Sequence, residues 1–139
     1  MSTETTTTQG KAGRGWLVAG AVNGFLSVAL GAFAAHGLDG RISERFLSAF
    51  DKGVDYQAMH AMALLIVGLL LQTRPEARLA SWAGGLFLAG IVLFSGSLYV
   101  LALSGVTRWG MVTPFGGTAF LLGWVILGMA AWKLTPDAR

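Results

Sequence analysis

The chain has 139 residues, 54% of them apolar and 12% charged, with a formal net charge of +3 and a pI near 9.8. The charged share is roughly half that of a soluble domain, too little to coat a water-facing surface, and the length is right for one domain. The absence of cysteine excludes disulfides, thiolate metal sites and a Cys nucleophile. The basic residues stand singly at segment ends, which suits membrane flanks and argues against nucleic acid.

Placement of the charges is more telling than their number. Of the ten Lys and Arg and seven Asp and Glu residues, only Asp55 falls inside one of four apolar segments, near residues 16–35, 54–72, 79–103 and 113–132. A helix of about 20 residues, rising about 1.5 Å each, crosses a hydrocarbon core of about 30 Å. In lipid every backbone amide needs an internal partner, so each segment is expected to be helical. The predicted fold class is all-α: a four-span transmembrane bundle with a short interfacial amphipathic helix between spans one and two. The predicted organisation is a tail at 1–13, a transmembrane domain at 14–134 and a short tail at 135–139.

Residues 1–13 lack any apolar period and read as a disordered tail. Lys11 and Arg14, an apolar run and Ala32-Phe33-Ala34 also resemble a signal peptide with a small-residue cleavage site. The run is longer than such peptides carry, so the reading is a retained first span. That span has Gly20, Gly24, Ser27, Gly31 and Ala34 on one stripe, Gly20 and Gly24 forming a GxxxG pair, a device for close helix approach. Gly37 and Gly40 suit its stop.

Segment 41–52 places Ile42, Phe46, Leu47 and Phe50 at helical spacing opposite Glu44, Arg45 and Ser48. An interfacial helix fits this pattern, and so does a helical extension of the second span into water, with Gly53 as a possible bend. The second span is the least apolar, being polar in its first turns. Thr73 with Glu76 three residues on, and Pro75 between them, predicts a capping box opening span three. Ser104-Gly105 ends span three, in which Gly90, Ser97 and Ser104 recur at heptad spacing. Thr113-Pro114 opens span four in the same manner, and Gly116, Ala119, Gly123 and Ala130 mark its packing face.

Trp16, Trp82, Trp109 and Trp132 sit at segment ends, at the headgroup level. Trp124 is interior and is assigned to helix packing. The side holding both termini carries six basic residues (Lys11, Arg14, Arg74, Arg78, Lys133, Arg139) against four opposite (Arg41, Arg45, Lys52, Arg108). The positive-inside rule then puts both termini in the cytoplasm.

Polar residues of the spans gather in one half of the membrane: His36, Asp55, Tyr56, Gln57, His60, Ser95, Ser97, Tyr99 and Thr113. His60 lies about 9 Å beyond Val54 along the helix and shares a face with Tyr56. An intramembrane ionisable group marks a candidate site. Two readings compete: a proton relay or small polar cavity lined by His60, Asp55, Tyr99 and His36, or a histidine bonded to a neighbouring Ser or carbonyl with Asp55 at the surface. Two His and one Asp match no helical metal pattern, no serine has a GxSxG context, and no phosphate-binding glycine loop or other cofactor motif is present. Asn23, deep in span one, is assigned to bridging helices.

Several segments together carry a family resemblance: GAFAAHG at 31–37, FDKG at 50–53, YQAMHAMALL at 56–65, LFSGSLY at 93–99, LALSG at 101–105, TPFGG at 113–117 and LGW at 122–124. Over residues 15–132 the chain resembles the YgdD-like, transmembrane-protein-256-like family of small membrane proteins. The N-terminal tail and Asp55 fall outside its pattern. The resemblance implies a four-span protein of bacterial inner membranes and no defined activity. Two functional classes follow. One is a non-enzymatic protein that packs with or assists other membrane components, whether a partner protein or further copies of itself. The other is a small oligomeric transporter or channel using the one-sided polar cluster.

Overall fold

A computed structural model of the chain describes residues 11–136. Most of the expected N-terminal tail and residues 137–139 of the C-terminal one lie outside the described residues. The regular structure among those described is all helical, with no strand. Four helices are long and apolar enough to cross a membrane: α1 (Arg14–Leu38), α2 (Glu44–Thr73), α3 (Arg78–Ser104) and a fourth over Thr107–Leu134, whose α-helical part is α4 (Thr113–Leu134).

Helix α1 loosens into a π-helical turn over Ala34–Leu38, and the chain reverses at Gly40, whose φ of +75° is left-handed. That conformation costs a residue with a Cβ far more than it costs glycine. Ser43 then caps α2, its hydroxyl accepting from the Phe46 amide at 3.3 Å, and Glu44 in the first turn complements the helix dipole.

Helix α2 runs unbroken for 30 residues, which corrects the expectation of a separate interfacial helix. The reason lies in where its apolar face goes. Phe50 is fully buried with Ala34, Leu38 and Ala102, and Phe46, Leu47 and Tyr99 pack around them, so protein covers the face that lipid was expected to cover. Gly53 makes no bend. It admits the Tyr99 ring, which a Cβ would meet at 2.7 Å. At about 45 Å by helix rise, α2 exceeds the hydrocarbon core, so its first turns reach beyond it.

The capping box at Thr73 is also corrected. Thr73 is the last residue of α2, and its hydroxyl donates back to the Leu70 carbonyl at 3.0 Å. Helix α3 starts only at Arg78, after a turn in which Arg74 and Glu76 form an exposed 4.0 Å ion pair. Ala77, not Thr73, occupies its cap position. At the other end, Gly105 with φ +70° stops α3 in the left-handed conformation. Midway, Ile91–Ser95 form a second π-helical turn.

Packing follows chain order. Helix α1 lies along α2, α2 along α3, and α3 along α4. Helix α2 packs along the whole of α3, whereas α4 packs chiefly on the first half of α3 and its π turn, leaving Gly96–Ser104 with α2 as its main partner. The inner helices bury the larger shares: 44% and 39% of the spanning windows of α2 and α3, against 22% and 28% for α1 and α4. The main core joins Leu64 and Val67 of α2, Phe87 and Ile91 of α3 and Phe120 of α4.

Candidate functional site

The polar residues that the sequence places in one half of the membrane separate, in three dimensions, into four small hydrogen-bonded groups. The first is a directed chain across three helices. The Tyr99 hydroxyl donates to Gln57 Oε1 at 2.7 Å, Gln57 Nε2 donates to Asn23 Oδ1 at 2.9 Å, and Asn23 Nδ2 donates to the Ala19 carbonyl at 2.9 Å. In hydrocarbon each of these groups would be costly unpaired, so the chain fixes the register of α1, α2 and α3 together.

The second group centres on His60, which is 1% exposed. Its Nδ1 lies 2.7 Å from the Tyr56 carbonyl, and its Nε2 lies 3.0 Å from Trp124 Nε1. A carbonyl only accepts and an indole N–H only donates, so the imidazole is neutral with its proton on Nδ1. The ring also stacks on Phe120, centroids 3.6 Å apart, and tilts against Phe87 at 5.5 Å. Both nitrogens are engaged, which leaves no lone pair for a metal and no free site for proton exchange.

The two remaining groups are local. Ser95 donates to the Gly53 carbonyl at 2.7 Å, tying α3 to α2 where Gly53 lets them approach. Ser97 donates to the Phe94 carbonyl at 2.9 Å, which makes Thr113 the donor in the 2.6 Å Ser97–Thr113 contact between α3 and α4. Thr113 therefore bridges helices rather than capping α4, whose cap position is Val112. His36 and Asp55 are exposed and join none of these groups. Among the described residues no three His, Asp or Glu side chains gather around one point, and no buried side-chain nitrogen or oxygen lacks a partner.

The small residues expected at helix contacts divide as sharply. A Cβ on Gly20 would meet Leu65 at 2.8 Å, on Gly90 the Phe120 ring at 2.3 Å, on Gly123 the Phe87 ring at 2.7 Å, and on Gly116 the Phe94 backbone nitrogen at 2.3 Å. Gly31 stands in ordinary contact with Val54, and Ser27 is buried with its hydroxyl on the Gly24 carbonyl. Gly24 itself has nothing within 4 Å, so the GxxxG pair contributes one packing glycine, not two.

Sequence reasoning did not pair Asn23 with Gln57, nor His60 with Trp124. The first pairing had a signal, because α1 and α2 are antiparallel and the two carboxamides lie nearly equidistant from the turn between them. The second had none, because α2 and α4 are not consecutive and only the tertiary packing brings their faces together.

A groove of about 470 Å³ lies between α2 and α4, floored by Phe94 of α3 and walled by Tyr56, His60, Phe120 and Trp124. Its rim residues Met59 and Leu121 are 53% and 70% exposed, so it opens on the outer face of the bundle.

Residues 30–117 match the family described as "Protein of unknown function (DUF423)". A UPF0382 membrane protein of Staphylococcus aureus is 44% identical over 118 residues, covering 85% of this chain and 95% of that protein. The UPF0382 membrane protein YwdK of Bacillus subtilis is 42% identical, with 85% and 96% covered. No solved structure matches the chain.

Proposed function

Because the chain belongs to the DUF423 (UPF0382) family of membrane proteins, for which no activity is established, we propose that it is a non-enzymatic multi-pass protein that works by lateral contact with other membrane components. The observation that carries this reading is that every buried side-chain nitrogen and oxygen among the described residues is paired. Enzymes and ion-coupled carriers keep ionisable groups free to exchange protons or ligands. His60 is closed at both nitrogens, and the Tyr99–Gln57–Asn23 chain ends on a backbone carbonyl. Its outer helices meanwhile present broad apolar faces, from Val18 and Phe25 on α1 to Val125 and Trp132 on α4.

The finer resemblance to YgdD-like and transmembrane-protein-256-like proteins belongs to this reading, as do a bacterial inner-membrane location and cytoplasmic termini. The six-to-four basic bias supports the orientation. The rival is a small oligomeric transporter or channel. It would need a wet path, and the exposed Asp55 and His36 take no part in the hydrogen-bonded groups around His60 and Gln57.

Flux measurements on proteoliposomes separate the two. Vesicles carrying the purified chain should release protons, potassium and small neutral solutes at the rate of empty vesicles. A flux above that background, abolished by His60→Ala in a folded protein, would overturn the packing reading. Purification in mild detergent should also retain a membrane partner at fixed stoichiometry. A bare homo-oligomer that conducts would favour the rival.

A further inference from the structure

We propose that the groove between α2 and α4 is a binding site for one acyl chain of a membrane phospholipid, whose ester carbonyl accepts a hydrogen bond from the Tyr56 hydroxyl. Depth is the first argument. The α4 wall of the groove runs from Pro114 to Trp124, about 15 Å by helix rise, which is half of a hydrocarbon core about 30 Å thick. It therefore extends from the headgroup level to the bilayer midplane, the reach of one leaflet's chain.

Width is the second. A volume of 470 Å³ spread over about 15 Å of helix rise leaves a cross-section of roughly 30 Å². A helix is about 10 Å across, so a span of a second copy or of a partner protein could lay side chains over the mouth but not enter. A single hydrocarbon chain can.

Polar chemistry places the other end of the lipid. Thr118 gives its proton to the Pro114 carbonyl, Trp124 gives its N–H to His60, and His60 is closed. Among the described residues nothing accepts from the Tyr56 hydroxyl, although its ring is held against Phe94 at 4.5 Å. Helical side chains lean toward the helix N-terminus, so this hydroxyl points to the headgroup end of the groove. An unpaired hydroxyl in an apolar wall is costly, and an ester carbonyl at that depth relieves the cost.

Gly117 supplies an independent observation. Its neighbour Gly116 is glycine because a Cβ would strike the Phe94 backbone at 2.3 Å. At Gly117 a Cβ would meet only Phe94 Cδ2, at an ordinary 3.8 Å. Packing within the chain does not require the missing side chain at 117. What its absence does is widen the groove.

Fluorescence quenching by brominated lipid tests the site. The full chain, with Trp16, Trp82, Trp109 and Trp132 changed to Phe, keeps Trp124 as its reporter at the inner end of the groove. It is delipidated in detergent and titrated with phosphatidylglycerol brominated either mid-chain or near the methyl end. Quenching should saturate near one lipid per chain and be stronger with bromine near the methyl end. Gly117→Leu should weaken the saturable phase at least tenfold with helical circular dichroism unchanged. Tyr56→Phe should weaken it roughly 2- to 10-fold, the loss of one hydrogen bond. Should Gly117→Leu unfold, Gly117→Ala, whose Cβ fits, must still lower the affinity. The proposal is overturned by quenching that never saturates, by quenching indifferent to both Gly117 variants, or by a ring-headed isoprenoid recovered in place of phospholipid at one per chain. It is equally overturned if Gly117→Leu acts by dissolving a dimer.

Discussion

His60 sits among Phe87, Phe120 and Trp124 as a flat, neutral ring whose two nitrogens each have one fixed partner. Trp124→Phe keeps the packing and removes the donor, leaving Nε2 an unpaired acceptor. We expect a loss of about 1 kcal/mol, read from unfolding in mixed detergent micelles. His60→Ala also opens a cavity beneath Phe120 and should cost about 2 kcal/mol or more in the same assay. Asn23 and Gln57 face each other across α1 and α2, so their effects should not add. A double-mutant cycle with Asn23→Ala and Gln57→Ala should give a coupling of about 0.6–1.7 kcal/mol, and additive losses would show that the 2.9 Å contact contributes nothing. At this scale the sequence was only partly legible. It announced which side chains were polar and in which half of the membrane they lay. It could not announce their partners, because bonds such as His60–Trp124 join residues 64 positions apart on non-consecutive helices.

Helices were legible wherever hydrophobicity alone decides, so each of the four apolar segments falls within a helix long and apolar enough to cross a membrane. Boundaries decided by competing contacts were not. Segment 41–52 has the amphipathic pattern of an interfacial helix, and only Leu38, Ala34 and Ala102 on other helices turn that pattern into core. Thr73, Pro75 and Glu76 have a cap's spacing, yet the Thr73 hydroxyl reaches the carbonyls behind it first. The glycines show the same limit, since spacing reveals a stripe but not which of its members touches a neighbour. Gly24→Ala should therefore be neutral or stabilise by up to about 1 kcal/mol, as a helix interior prefers alanine where there is room. Gly116→Ala forces α3 and α4 apart and should destabilise by about 1–3 kcal/mol, measured as a lower thermal midpoint in the same detergent. Equal effects at the two positions would contradict the packing described.

In the molecule as a whole, α1 and α4 flank an inner pair, and four crossings return the chain to the side on which it began. Because the chain lacks cysteine, single cysteines report topology without background. Thr135→Cys should react with a membrane-impermeant maleimide only after the cell membrane is opened, whereas Arg41→Cys should react in intact cells. The reverse pattern would invert the orientation. Helix α3 lies along α2 for its whole length, and its π turn at Ile91–Ser95 is the point beyond which α4 is no longer a main partner. Such a turn is an α-helix carrying one surplus residue, a phase shift written into the chain. Removing a single residue between positions 91 and 95 would restore an uninterrupted α-helix and bring its two halves back into step. The first half could then keep its seat on α2 and α4, but the half after the turn would be rotated off α2.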